Sequence, residues 1–413
     1  MSFHTRTTCR ACDSRHLNLI LSLGRLPLAN SFLRDPAEFA TEVSYPLNLG
    51  LCPACHLLQL LDVVSPDMMF THYLYLSAMS DTIAEHNRLL AAELVERLSL
   101  TADSLVAEVG SNDGSLLRCF HPYGARTVGI EPATNLATMA RSRGVDTVNA
   151  FLDSATAAEI VASRGRASLV VANNVLAHVE DTRAFLTACR ELLAPDGMIV
   201  IESPYVRNLV TGLQYDTIYH EHQCYFSAQA LVRLCDAVGL SIRRIELVPV
   251  HGGSFRLSAQ PAAAARPEHA ASALELLQAE RDAGFDQRAV YDDFARRVEE
   301  SRRSLRALLE RVRANGHSVA AYGAAAKGNT LLNYCDIDTG LVECIVDRNP
   351  LKIGLWSPGM HLPVRDVSVL VEEQPDYVLL LAWNFAPEII AQQAAYRRRG
   401  GKFIIPIPTP TVV

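Results

Sequence analysis

The sequence predicts an α/β protein built from more than one unit, on three observations. A short β-rich run at 104–109 passes through Gly110-Ser-Asn-Asp-Gly114 into a helical pattern, and the same order of strand, small-residue turn and helix returns in "HSVAAYGAAAKGNTLLNY". Each is followed by a strand ending in an acid: Glu131, 21 residues after Gly110, and Asp347, 24 residues after Gly323. At the front, Cys9-Arg-Ala-Cys12 and Cys52-Pro-Ala-Cys55 form two C-x-x-C pairs with 39 residues between them.

Length and composition frame that reading. At 413 residues the chain has room for about two to three domains. It is 49% hydrophobic and 20% charged, an ordinary balance for a protein with well-formed cores. A net charge of −7 with a pI near 6.0 does not provide the basic face of a nucleic-acid footprint, so any bound nucleotide is expected to be a small molecule. No apolar run approaches a membrane span, and the start "MSFHTRTTCRACDS" carries no apolar signal core. The expectation is a cytoplasmic protein, monomeric or weakly oligomeric, with no membrane or nucleic-acid partner.

In that compartment the ten cysteines are not expected to form disulfides. A C-x-x-C knuckle presents two thiolates from one turn, and two knuckles complete a tetrahedral sulfur shell. Cys9, Cys12, Cys52 and Cys55 therefore read as a closed, structural zinc site, because the segment between them is too polar and proline-broken for a large core. The remaining cysteines, Cys119, Cys189, Cys224, Cys235, Cys335 and Cys344, read as small buried hydrophobes.

The glycine turn at 110–114 lets backbone approach a ligand, and the helix after it offers free N–H groups. Glu131, at the tip of the next strand, is placed to bind ribose hydroxyls. The spacing Glu108-x-Gly110-x-x-x-Gly114 is not the dinucleotide G-x-G-x-x-G; it is similar to the first motif of Rossmann-like S-adenosylmethionine (SAM) methyltransferases. Further strands follow in "VDTVNAF", "ASLVVANNVLAHVED" and "PDGMIVIES", as such a domain requires. The expected cofactor residues are Glu108, Gly110, Asn112, Gly114, Glu131 and Asn173, with Asn174 and His178 near them at a strand's carboxyl end.

The stretch "TIYHEHQCYFS", residues 217–227, concentrates Tyr219, His220, Glu221 and His222. Three readings compete. Histidines two apart share a face only on an extended strand, and the metalloprotease spacing of four on a helix is absent. An acid–base site would use a histidine that titrates near working pH. A plain helix start would have Ser227 as N-cap, which leaves the histidines unexplained.

Residues 264 to about 315 show helical periodicity with charges on solvated faces. The strands "LVECIVDRNPLK", "DYVLLLAWNF" and "GKFIIPIP" then complete a second α/β unit whose turn carries Lys327, a partner for a diphosphate. An acid 24 residues past Gly323 also fits a nicotinamide-binding unit, although Gly323-Ala-Ala-Ala-Lys-Gly328 is not G-x-G-x-x-G.

Taken with the four cysteines, "YLYLSAMSDT", "EVGSNDGSLL", "NNVLAHVED", "SPYVRNLVTGLQYDTIYHEHQCYFS" and "YGAAAKGNTLLNYC", the chain resembles the nucleotide-sugar C-methyltransferases of deoxysugar biosynthesis, which act on TDP-4-keto-deoxysugars in antibiotic pathways. The resemblance implies a zinc-binding domain at 1–72, a methyltransferase domain at 73–245, and a helical linker with a Rossmann-like sugar-nucleotide domain at 246–413. It implies a catalytic cluster of Tyr73, His178, Tyr219, Glu221 and His222, with His222 as base, and substrate contacts from Tyr75, Gly323, Lys327 and Asn329. The expected activity is SAM-dependent methylation at C-3 of a TDP-4-keto-6-deoxysugar. The alternative adds an NADPH-dependent reduction of the C-4 ketone on the same sugar nucleotide.

Overall fold

The computed structural model describes residues 3–70, 81–250, 252–262 and 268–413. Tyr73, Tyr75 and the rest of "YLYLSAMS" lie outside the described residues. No described helix is long and apolar enough to cross a membrane.

The front of the chain forms an antiparallel sheet of Asn18–Pro27, Ser44–Leu51 and Leu58–Leu60, with Phe3–Thr5 paired to Asp62–Val64 beside it. The sheet's fourth strand is not local. Cys224–Tyr225, from the "HEHQCYFS" stretch, pairs with Leu58–Leu60 through Cys224↔Gln59 and Tyr225↔Leu58.

Seven strands make the central sheet: β1 (Leu105–Val109), β2 (Arg126–Ile130), β3 (Thr147–Val148), β4 (Ala167–Asn173), β5 (Leu193–Pro204), β6 (Leu240–Val248) and β7 (Ser254–Pro261). Their order is β6-β7-β5-β4-β1-β2-β3, parallel except at β7, which runs antiparallel to both β5 and β6. β1 is buried along its whole length because both faces are covered. Val106 packs with Leu90, Ala91 and Leu94 of helix Asp81–Leu98, while Leu105, Ala107 and Val109 join the layer of Phe185, Leu186 and Cys189. Strand order reverses between β1 and β4, and a ligand crevice opens at the carboxyl ends of strands at such a switch point. The sheet extends beyond residue 245, since β6 crosses that position and β7 inserts between β6 and β5. "VDTVNAF" contributes only the two residues of β3.

Helix Ala271–Asp282 and the 27-residue helix Arg288–Ala314 follow. The longer one buries Tyr291, Phe294, Val298, Ser301, Leu305, Leu309 and Val312 at spacings of three and four, and pairs Arg296 with Glu300 and Arg306 with Glu310 on its solvated face. The last unit is a six-stranded sheet in the order Val364–Asp366, Ile345–Asp347, Val319–Tyr322, Tyr377–Leu380, Lys402–Ile405 and Thr411–Val412. All but the final pairing are parallel, so Val319–Tyr322 and Tyr377–Leu380 flank a second switch point.

Candidate active site

Both cysteine knuckles close in the same way. Asp13 N–H donates to Cys9 O at 3.0 Å and His56 N–H to Cys52 O at 2.9 Å, each residue at a positive φ near +58° and +57°. The four sulfurs lie within 4.8 Å of one another, with Cys9–Cys55 at 3.5 Å and Cys12–Cys52 at 3.6 Å. A tetrahedral ion with Zn–S bonds of about 2.3 Å sets its sulfurs about 3.8 Å apart, so the shell fits zinc. Ala11 N–H and Gln59 Nε2 donate to Cys9 Sγ at 3.4 and 3.3 Å, as groups around a metal thiolate do.

At the end of β1, Gly110 turns at φ +65°, where a Cβ would lie 2.5 Å from Val175 Cγ2. Gly114 turns at φ +77°, where a Cβ would lie 2.7 Å from Val145 Cγ2. Glu131 fixes the loop between them, accepting the backbone N–H of Asn112 and of Ala133, both at 2.8 Å. Glu108 is buried one strand position before the turn, and burial, reinforced by the charges of Asp113 and Glu131, pushes its carboxyl well above the usual range. Burial raises Glu131 as well. Glu108 Oε2, Ser111 Oγ, Asn173 Oδ1 and Ser203 Oγ are buried with no hydrogen-bond partner among the described residues. Polar atoms of that kind are uncommon in a finished core, and these four could receive a polar ligand.

The tyrosine–histidine stretch forms a tight turn, His222 N–H donating to Tyr219 O at 2.8 Å. His222 Nδ1 lies 2.9 Å from Thr217 O. A carbonyl only accepts, so Nδ1 carries a proton, and on the neutral ring Nε2 keeps its lone pair. Tyr219 donates its hydroxyl to that nitrogen at 2.8 Å. The His178 ring stands edge-on to His222, centroids 4.7 Å apart at 88°. Burial pulls His178 down to about 4, so it is neutral at physiological pH. Glu221 is 3% exposed and accepts Asn30 Nδ2 at 2.7 Å. His220 turns the other way, its Nε2 3.2 Å from Pro46 O and its ring edge-on to Tyr45. The two histidines of "HEH" therefore face different domains. Among the described residues, the four cysteines are the cluster of three or more metal-capable side chains. Ser227 caps the following helix, its Oγ accepting Ala230 N–H at 3.1 Å.

At the second switch point Lys327 is half-buried, bonded to Asn384 Oδ1 and 4.6 Å from the centroid of the Trp383 ring. Burial lowers it to about 8, against the pull of Asp216. Trp383 Nε1 donates to Asp216 Oδ2 at 2.6 Å, which ties this crevice to the Tyr219–His222 turn three residues on. Burial raises Asp216 to about 6. Asn329 faces the front domain, donating to Ala29 O at 2.8 Å. Sequence reasoning passed over Asn30, Asp216, Trp383 and Lys352, whose ammonium donates to Ala324 O at 2.6 Å and lies 5.0 Å from the Phe32 ring centroid. Lys352 carried a usable clue, being a lysine five residues past the acid that ends a crevice strand.

Family models of a zinc binding domain, a methyltransferase domain and a C-methyltransferase C-terminal domain match residues 9–70, 83–245 and 249–408 in turn. The chain is 39% identical over 405 residues to C-methyltransferase NovU of Streptomyces niveus, a match covering 98% of this chain and 96% of that one. A ubiquinone biosynthesis O-methyltransferase of Rhodopseudomonas palustris (strain HaA2) is 34% identical over 106 residues, which span 25% of this chain and 41% of that one. Among solved structures, magnesium protoporphyrin IX methyltransferase (ChlM) of Synechocystis PCC 6803 with bound SAM aligns at 17% identity and a TM-score of 0.34, covering 43% of this chain and 79% of that one.

Proposed function

The chain belongs to the C-methyltransferase family as a SAM-dependent enzyme, and on that premise we propose that it methylates C-3 of a TDP-4-keto-6-deoxysugar through an enolate. The observation that carries this is the Tyr219–His222 pair beside His178, with His222 held in the tautomer that leaves Nε2 basic. A ketone at C-4 makes the C-3 hydrogen removable. His222 Nε2 takes that proton, and the C–H electron pair becomes the enolate, with charge on the C-4 oxygen. Tyr219 then moves its hydroxyl hydrogen bond from Nε2 to that oxygen, and neutral His178 offers an N–H beside it. Glu221, fixed by Asn30, binds a sugar hydroxyl or orients the histidine. When bound, SAM would supply an electrophilic methyl group to the enolate carbon, the methyl–sulfur electron pair staying on the sulfur of the departing S-adenosylhomocysteine.

The loops divide the ligands by charge. Glu108 and Glu131 stand at the Gly110–Gly114 turn and suit an ammonium and ribose hydroxyls, while Asp113 is paired with Arg143; Gly110, Asn112, Gly114 and Asn173 are assigned to the same ligand. Lys327 and Lys352 flank the Gly323 turn and suit a diphosphate. Asn329 and Tyr75 belong to the substrate side of this assignment and Tyr73 to its catalytic cluster, with residues 1–72, 73–245 and 246–413 as its three domains.

The test is mass spectrometry of TDP-4-keto-2,6-dideoxyhexose incubated with enzyme and SAM, with and without NADPH. A gain of one methylene under both conditions is the expected result. A further gain of two hydrogens only with NADPH establishes the methyltransferase–reductase instead. No gain, on this sugar and on an amino-sugar analogue, overturns the substrate assignment.

A further inference from the structure

The first cysteine knuckle holds a residue to which the reaction above gives no role. Arg10 lies between Cys9 and Cys12 and is 2% exposed. Its backbone N–H and its Nη1 both reach Gln59 Oε1 at 3.2 Å; Nη1 also donates to Leu60 O at 2.6 Å, and Nη2 donates to Gln223 Oε1 at 3.0 Å. A guanidinium is costly to bury and is retained where its rigid fork of donors fixes several acceptors at once. Here the acceptors belong to two distant parts of the chain.

Gln223 is the residue after His222 and is fully buried. Its backbone N–H donates to Ala177 O, the residue before His178, at 2.7 Å, and its own carbonyl accepts Leu60 N–H at 2.9 Å. One residue thus joins the two histidine loops through its backbone, and Arg10 holds its side chain. Two more bonds close the arrangement. Thr182 Oγ1, just beyond the His178 loop, donates to Arg10 O at 3.0 Å, and Gln59 donates to Cys9 Sγ at 3.3 Å.

We propose that Arg10 is a positioning residue for methyl transfer, setting the spacing of the His178 and His222 loops through Gln223 and so making the cysteine knuckle part of the active-site framework. It touches neither sugar nor cofactor. The proposal rests on the assignment of the two histidines to the reaction.

The experiment uses the full-length, zinc-loaded enzyme and the variants Arg10→Lys, Arg10→Met, Gln223→Met and the Arg10→Met/Gln223→Met pair. A displacement of about 1 Å in a catalytic group costs on the order of 100-fold in rate, so each single change is expected to lower kcat about 10- to 100-fold. Zinc content and SAM affinity stay at wild-type values. The pair should be no slower than the worse single variant, because each change cuts the same link. Histidine-ring ¹H–¹⁵N correlations give a readout that needs no substrate. The His178 and His222 signals shift in Arg10→Lys, while that of exposed His121 does not, and this tests the strut even if the sugar assignment fails. Losses of kcat that track lost zinc or lost folded protein would overturn the proposal, as would multiplied losses in the pair or unmoved histidine signals.

Discussion

In the central unit Glu131 accepts the backbone N–H groups of Asn112 and Ala133, both at 2.8 Å, and in the C-terminal unit Asp347 accepts those of Ala324 and Asn349 at 2.6 and 2.7 Å. Each acid at the tip of a second strand pins the turn after the first. What surrounds the turns differs. Glu108 and the Arg143-paired Asp113 stand beside the central one. Lys327 and Lys352 stand beside the other, engaged with Asn384, Trp383, Ala324 and Phe32. A glycine turn makes room for a ligand, and the charge around it selects which one.

Four experiments probe that division. Zinc removal has the largest effect, since structural zinc contributes on the order of 10 kcal/mol to a small domain. Chelation should loosen residues 3–70 and abolish turnover through the lost Cys224–Tyr225 pairing, while the central turn still binds SAM. Unchanged melting and activity after verified metal loss would contradict a structural role. Replacing the base comes next. His222→Gln or His222→Asn should lower methyl transfer by about 10²- to 10⁴-fold, with SAM affinity by calorimetry within about 2-fold of wild type. Retained turnover would remove His222 from that role.

The turns themselves are separated by a crossed pair of variants. Losing a hydrogen bond to a charged group costs about 1.5–3 kcal/mol. Glu131→Ala should therefore weaken SAM binding by about 10- to 100-fold and leave the KM for the sugar nucleotide alone. Lys327→Met should do the reverse. If both variants damaged both ligands equally, the division by charge would fall. The smallest effect is in pH. An unfolded histidine titrates near 6.5, whereas His178 is held near about 4 by burial. The unfolded chain therefore takes up its proton first, and the stability His178 contributes is full above about pH 6.5 and is lost as pH falls toward 4. The loss between pH 7 and pH 5 is on the order of 1–2 kcal/mol, and denaturant titrations should show a flatter curve for His178→Gln. An identical slope in both proteins would count against the buried, neutral histidine.

The parts legible in the sequence were those fixed by local chemistry. The cysteine knuckles, the Gly110–Gly114 turn with Glu131 at its distance, and the Ser227 cap each depend on residues close in the chain or on strand order. The illegible parts depend on contacts between remote segments. Nothing near Gln223 points to Arg10, 213 positions away, and nothing near Glu221 points to Asn30, 191 positions away. "VDTVNAF" reads as a full strand by composition, yet at the sheet's edge only Thr147–Val148 finds partners on β2. The opposite turn of His220 and His222 was also hidden, because a tight turn has neither helical nor strand periodicity.

The most direct test of the enolate account is proton exchange at C-3 without methyl transfer. TDP-4-keto-2,6-dideoxyhexose is incubated in D₂O with enzyme and S-adenosylhomocysteine in place of SAM, and the C-3 proton is followed by NMR. The account predicts loss of that signal with the wild-type enzyme and its persistence with His222→Gln. A C-3 proton that persists with an enzyme competent to methylate the same sugar, or that vanishes equally fast with His222→Gln, would contradict it.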